Sequence, residues 1–108
     1  MADEARSVRD LTPAEVARGV AEGRMLLVDV REANETAIER FPGACIVPLS
    51  TFDPAAIPAA GREVVFACRS GRRSVDASIA AQGQGFAYAS HLAGGILAWK
   101  AAGLPTET

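Results

Sequence analysis

Three arginines crowd one cysteine in the stretch Cys68-Arg69-Ser70-Gly71-Arg72-Arg73-Ser74. The apolar run Val64-Val65-Phe66-Ala67 leads into it, and Val75-Asp76-Ala77-Ser78-Ile79-Ala80-Ala81, which reads as a helix, follows. A cysteine therefore ends a predicted strand, a polar loop turns, and a helix begins. Backbone N–H groups of such a loop can converge on one point, and the helix N-terminus adds partial positive charge there. With the arginines, this lowers a thiol pKa from about 8.5 towards neutrality or below. The thiolate is then the nucleophile, and an anionic substrate is drawn to it. Most cysteines are small, inert core residues. Cys68 differs in ending a strand at its carboxyl edge, where open α/β sheets place their ligands.

Other residues are read beside this loop. Asp29 and Arg31 flank the end of another predicted strand, with Glu32 next. They form either a structural ion pair or a support in which Asp29 or Glu32 holds Arg73 and braces the loop; bracing is favoured over catalysis. Cys45 lies in a predicted strand and reads as core filler. His91 ends a strand on the expected active edge; it reads as a satisfied structural histidine, and no metal-ligand set accompanies it. Trp99 reads as core. A phosphatase signature of Cys, five residues, then Arg would need arginine at position 74, which is Ser74. Arg73 comes one residue early, and the tighter loop suits a sulfur atom better than a phosphate. Arsenate reduction meets the same size problem.

The elements that position these groups follow from pattern. Thr12-Pro13-Ala14-Glu15 is a helix start with a capping box, flanked by Leu11 and Val16 as a hydrophobic staple. Val16, Ala17, Val20 and Ala21 form its apolar face, and Gly23 ends it. Met25–Val30, apolar except for Asp29, reads as a strand covered on both faces, as in parallel sheets. A short helix over 33–40, a strand over 44–49, an irregular connection over 50–62, the strand 64–67, a helix ending at Gly83-Gln84-Gly85, a strand over 88–92 and a helix over 96–102 complete the alternation. A parallel sheet wrapped by helices results, an α/β fold.

Composition bounds the rest. A chain of 108 residues is one domain, here 8–108 behind a loose tail over 1–7. Its net charge of -2 gives no global signal for nucleic acid or membrane, so the arginine cluster is local. Two cysteines are too few for a disulfide scaffold, and no apolar stretch approaches the ~18 residues of a membrane span. The polar start does not read as a signal peptide, which makes a reducing cytoplasm the expected setting.

Four landmarks in order resemble the single-domain rhodanese sulfurtransferases across about residues 8–107. They are Val28-Asp29-Val30-Arg31-Glu32, Pro42-Gly43-Ala44 with Ile46 and Pro48-Leu49, the Cys68–Ser74 loop, and Gly94-Gly95-Ile96-Leu97-Ala98-Trp99 through Gly103-Leu104-Pro105. The resemblance implies a three-layer fold with a central parallel sheet of about five strands and helices on both faces. It implies that Cys68 takes the outer sulfur of a donor such as thiosulfate as a persulfide and passes it to cyanide or a thiol. It assigns Arg69, Ser70, Gly71, Arg72, Arg73 and Ser74 to the active-site loop, and needs neither metal nor organic cofactor. A sulfur-relay partner protein uses the same chemistry; a non-catalytic regulatory module is the alternative, although such modules usually lack the cysteine. The chain departs from the family at Arg40, where histidine is common, at Thr36, where an aromatic residue is common, and at Ala93.

Overall fold

The computed structural model describes residues 7–108; most of the tail expected over 1–7 lies outside the described residues. Five strands, β1 (Arg9–Leu11), β2 (Met25–Asp29), β3 (Cys45–Ile46), β4 (Glu63–Ala67) and β5 (Ser90–Leu92), alternate with helices α1 (Pro13–Ala21), α2 (Ala33–Thr36), α3 (Arg73–Gly83) and α4 (Gly95–Ala101). The sheet is parallel throughout, in the order β1-β5-β4-β2-β3. β2 and β4 lie at its centre, and every β2 residue is buried, as an uninterrupted apolar run requires when helices cover both faces.

Side-chain alternation along the strands divides the core in two. Leu27, Val65 and Leu92 point to one face with Val16, Ile96 and Trp99. Leu26, Val28, Val64 and Phe66 point to the other, with Ala77 and Ala81 of α3. Cys68 belongs to this second layer. Trp99 is core as expected, edge-on to Phe41 at 5.3 Å and donating its indole N–H to the Pro105 carbonyl at 2.8 Å.

The helix start at Thr12 forms as read. Thr12 caps the Glu15 N–H, the Glu15 carboxylate caps the Thr12 N–H, and Leu11 and Val16 are both buried. The inner face of α1 differs from the expected one: Val20 and Ala21 are exposed, and Gly19 faces the core instead. A Cβ at Gly19 would come within 2.3 Å of the Met25 sulfur, so α1 lies on β2 through a glycine contact. β1, absent from the sequence reading, is an edge strand with only Leu11 turned inward.

Three other elements are shorter than their patterns. α2 stops at Thr36 rather than 40 because later backbone groups take tertiary partners. The Glu39 carbonyl accepts from Arg31 at 2.9 Å, and Arg40 pairs with Glu107 through two backbone hydrogen bonds of 2.9 and 2.8 Å. β3 covers only two of the six expected residues: the Val47 N–H still donates to the Asp29 carbonyl at 2.9 Å, but the Arg31 N–H that would continue the ladder donates to Asp29 Oδ1 instead, at 3.0 Å. β5 begins at Ser90 rather than Tyr88, whose ring stacks on Phe86.

Candidate active site

β4 delivers Cys68 to the carboxyl edge of the sheet, and α3 begins five residues later. Between them the loop folds back over the sulfur. Gly71 adopts φ +102°, a conformation that L residues avoid, and it is what aims the Gly71 N–H at Cys68 Sγ, 3.1 Å away. The Ser74 N–H, in the first turn of α3, donates to the same sulfur at 3.4 Å, and Ser74 Oγ lies 3.5 Å from it. Cys68 is 1% exposed.

Two opposed effects act on this thiol. Burial pushes its pKa up. The Ser74 hydroxyl and the N–H groups of Ser74, Gly71 and Ser70 hold the thiolate and push it down, and they prevail: the pKa falls below its ordinary value. Hydrogen bonds to the charged form thus outweigh desolvation. The convergence expected of the loop is present, and much of the stabilisation comes from backbone N–H groups rather than from arginine.

The loop is closed from outside by the turn into α4. The N–H groups of Ile96 and Leu97 donate to the carbonyls of Cys68 and Arg69 at 2.9 and 3.2 Å. Gly95 lies so close that a Cβ there would approach both of those carbonyl oxygens to 2.4 Å. The double glycine is therefore the surface on which the cysteine loop rests.

The arginines divide into two kinds. Arg69 and Arg72 are exposed, and Arg69 lines a shallow depression of about 300 Å³ with Arg31, Ile38, Leu97 and Lys100. Arg73 is partly buried and forms a two-pronged pair with Glu35, at 2.7 and 2.9 Å. The brace expected from Asp29 or Glu32 is therefore supplied by Glu35. Asp29 is consumed by Arg31 in a buried pair at 2.8 Å, a structural role at the end of β2. Glu32 faces the other way, accepting from the Ser50 N–H and hydroxyl. Glu35 occupies the first turn of α2, where its carboxylate also caps the Glu32 N–H; that cap aims it at the loop.

Arg73 holds the Glu35 carboxyl down to about 2, and Glu35 in turn raises Arg73. A carboxylate with a lowered folded-state pKa contributes stability above its unfolded value of about 4.5, and the contribution fades as pH falls towards 2. The pair is partly open to water, so screening limits its worth to about 1 kcal/mol. Acid denaturation of Glu35→Gln should accordingly differ from wild type above pH 4.5 and converge with it near pH 2; a constant offset across that range would remove the pair from the stability account.

His91, expected on the active edge, reaches the loop, and Asp10, which the sequence pattern did not single out, reaches His91. Ser74 Oγ lies 2.8 Å from His91 Nδ1, and His91 Nε2 lies 2.7 Å from Asp10 Oδ1. The expected satisfied histidine is found, buried and bonded at both nitrogens. Its first partner, though, is the serine that contacts Cys68. Cys45 is half-buried at the margin of the second core layer, beside Val47 and Leu49.

A family model described as Rhodanese-like domain matches residues 12–102. The chain is 43% identical over 83 residues to protein slr1261 of Synechocystis, covering 76% of this chain and 46% of that one. It is 40% identical over 83 residues to a sulfurtransferase of Allochromatium vinosum, covering 75% and 77%. The chain thus spans less than half the length of the Synechocystis relative. Among solved structures, the human single-domain sulfurtransferase TSTD1 superposes with a TM-score of 0.73 at 28% identity, covering 88% of this chain and 97% of that one. Protein RPA3614 of Rhodopseudomonas palustris, titled a "Possible Tyrosine Phosphatase", superposes with a TM-score of 0.78 at 28% identity, covering 93% and 85%.

Proposed function

The chain belongs to the rhodanese-like domain family, and on that premise we propose that it is a sulfurtransferase working through a Cys68 persulfide. The Cys68 thiolate attacks the outer sulfur of thiosulfate or another persulfide-type donor. A new S–S bond forms, the donor's S–S bond breaks, and, with thiosulfate, sulfite leaves with that electron pair. Cyanide or an acceptor thiolate then attacks the outer sulfur of the persulfide, and Cys68 departs as the thiolate. The loop N–H groups stabilise sulfur anions at both ends of the cycle. The observation that carries this reading is the convergence of the Gly71 and Ser74 N–H groups on a buried Cys68 sulfur.

The phosphatase suggested by one neighbour's title is disfavoured by Arg73. A phosphoryl group needs a guanidinium aimed into the loop, whereas Arg73 is spent on Glu35. Thiocyanate formation from thiosulfate and cyanide, run beside hydrolysis of an aryl phosphate, tests the choice. Sulfur transfer with background phosphate release is expected; Cys68-dependent phosphate release without sulfur transfer would reverse it.

Donor capture follows from the exposed arginines. Thiosulfate is a dianion, and each partly exposed charge contact is worth about 1–2 kcal/mol, roughly five- to thirty-fold in kcat/KM. Arg69→Ala with Arg72→Ala should raise the thiosulfate KM by at least the single-contact factor, and wild-type KM should climb with ionic strength. A KM indifferent to both would indicate a neutral or protein-bound donor.

A further inference from the structure

Cys68, Ser74, His91 and Asp10 form one hydrogen-bonded chain running from the buried sulfur to the surface. Cys68, Ser74 and His91 are at most 5% exposed, while the Asp10 side chain is open to solvent. Four elements contribute: the end of β4, α3, β5 and β1. The parallel register puts Asp10 directly beside His91.

Hydrogen-bond chemistry fixes the direction of the chain. An ionised carboxylate only accepts, so His91 Nε2 carries a proton towards Asp10. In the neutral ring, Nδ1 is then an acceptor, and the Ser74 hydroxyl donates to it. This leaves a serine lone pair facing Cys68, available to the thiol proton. Among the described residues, the charged group within hydrogen-bond range of the ring is Asp10 from β1. From β4 the registered neighbour is the apolar Phe66, and from the loop and α3 come the Gly71 backbone and Ser74.

We propose that His91 and Asp10 are positioning residues that activate Cys68 through Ser74, by taking up the thiol proton as a relay. The Cys68 S–H bond breaks with its electron pair left on sulfur. The proton moves to Ser74 Oγ as the serine's own proton moves to His91 Nδ1. The products are a thiolate that accepts from the Ser74 hydroxyl and an imidazolium paired with Asp10. No external acid or base is consumed, and the atoms return to their starting places when Cys68 is protonated again. This deepens the sulfurtransferase reading, on which its catalytic relevance rests; the relay itself concerns only the ionisation of Cys68.

The test is a titration of the thiol, followed by thiolate absorbance in a Cys45→Ser background. Ser74→Ala and His91→Asn are compared with the parent. The asparagine keeps an amide near the place of Nδ1 but takes up no proton. Both substitutions should raise the apparent Cys68 pKa by about one unit, equivalent to roughly tenfold less thiolate well below that pKa. A merely structural histidine would lower the melting temperature in His91→Asn and leave the thiol titration where it was, which would overturn the relay. A second readout needs no variant at His91. The chain has one histidine, so its imidazole resonances in the intact protein report His91 alone. They should show a protonated ring while the unmodified Cys68 thiolate is present at neutral pH, and revert towards the neutral ring when Cys68 is alkylated. Imidazole shifts blind to the state of Cys68 would refute the proposal even if His91→Asn did not fold. No readout uses a sulfur donor, so failure of the relay and failure of the proposed reaction give different results.

Discussion

Cys68→Ser should abolish sulfur transfer, lowering it by at least about a thousandfold, because a serine oxygen in this loop cannot carry a persulfide. The fold should survive. The sulfur is replaced by a smaller atom that still accepts from the Gly71 and Ser74 N–H groups, which donate to it at 3.1 and 3.4 Å in the native chain. Cys45→Ser should retain most of the activity. Cys45 sits on the short edge strand β3, half-buried, and its neighbours at the core margin are apolar. The two variants separate the thiols by one property: N–H donors converge on the Cys68 sulfur and lower its pKa. Steady-state transfer to cyanide and a thermal melt on both variants decide the matter. An inactive Cys45 variant beside an active Cys68 variant would invert the assignment.

Gly95→Ala should be the most damaging change that leaves the loop's own sequence untouched. Gly95 has φ +61°, which costs an L residue roughly 1 kcal/mol, and its new Cβ would drive into the Cys68 and Arg69 carbonyl oxygens at 2.4 Å. Backbone cannot yield as a side chain can, so either α4 or the cysteine loop must move. A loss of about 2–4 kcal/mol in stability is expected. Activity should fall about a hundredfold in whatever protein folds, since an ångström of misplacement at the nucleophile is worth that much. Gly103→Ala is the matched control. Its φ is +79°, and a Cβ there would meet nothing within 4 Å. It should suffer the backbone strain, about 1 kcal/mol, and keep its kinetics. Equal kinetic losses in the two variants would show that strain, not contact with the loop, is what the double glycine relieves.

The parts of this site that were legible in the sequence are the local ones. A strand, a cysteine, a glycine-containing turn and a helix start are adjacent in the chain, and their order alone dictates that N–H groups face the thiol. The capping box at Thr12 is legible for the same reason: its two partners are three residues apart. What escaped depends on contacts that only folding makes. Arg73 meets Glu35 across 38 residues and His91 meets Asp10 across 81. No spacing rule links such pairs. Asp29 and Glu32 stand nearer to a recognisable strand end and so are the natural candidates for the brace; buried pairing with Arg31 and contact with Ser50 claim them instead. β1 escapes because an edge strand with one inward apolar residue has no readable period, yet that strand carries Asp10. The shortened α2 is decided by the Arg40–Glu107 bridge, and the shortened β3 by the Arg31 N–H, which turns to the Asp29 carboxylate. A pattern of apolar residues could not reveal the first. Nor could it reveal the second, which rests on a side-chain contact of Asp29.

The central claim is that sulfur passes through Cys68, and intact-mass spectrometry tests it without reference to any acceptor. The purified protein is incubated with thiosulfate, freed of reagent and weighed under non-reducing conditions, then treated with cyanide and weighed again. The expected result is a gain of one sulfur atom, located by peptide mapping on Cys68, removed by cyanide, and absent from Cys68→Ser. An unchanged mass after thiosulfate and after a persulfide donor, or a sulfur carried by Cys45, would contradict it.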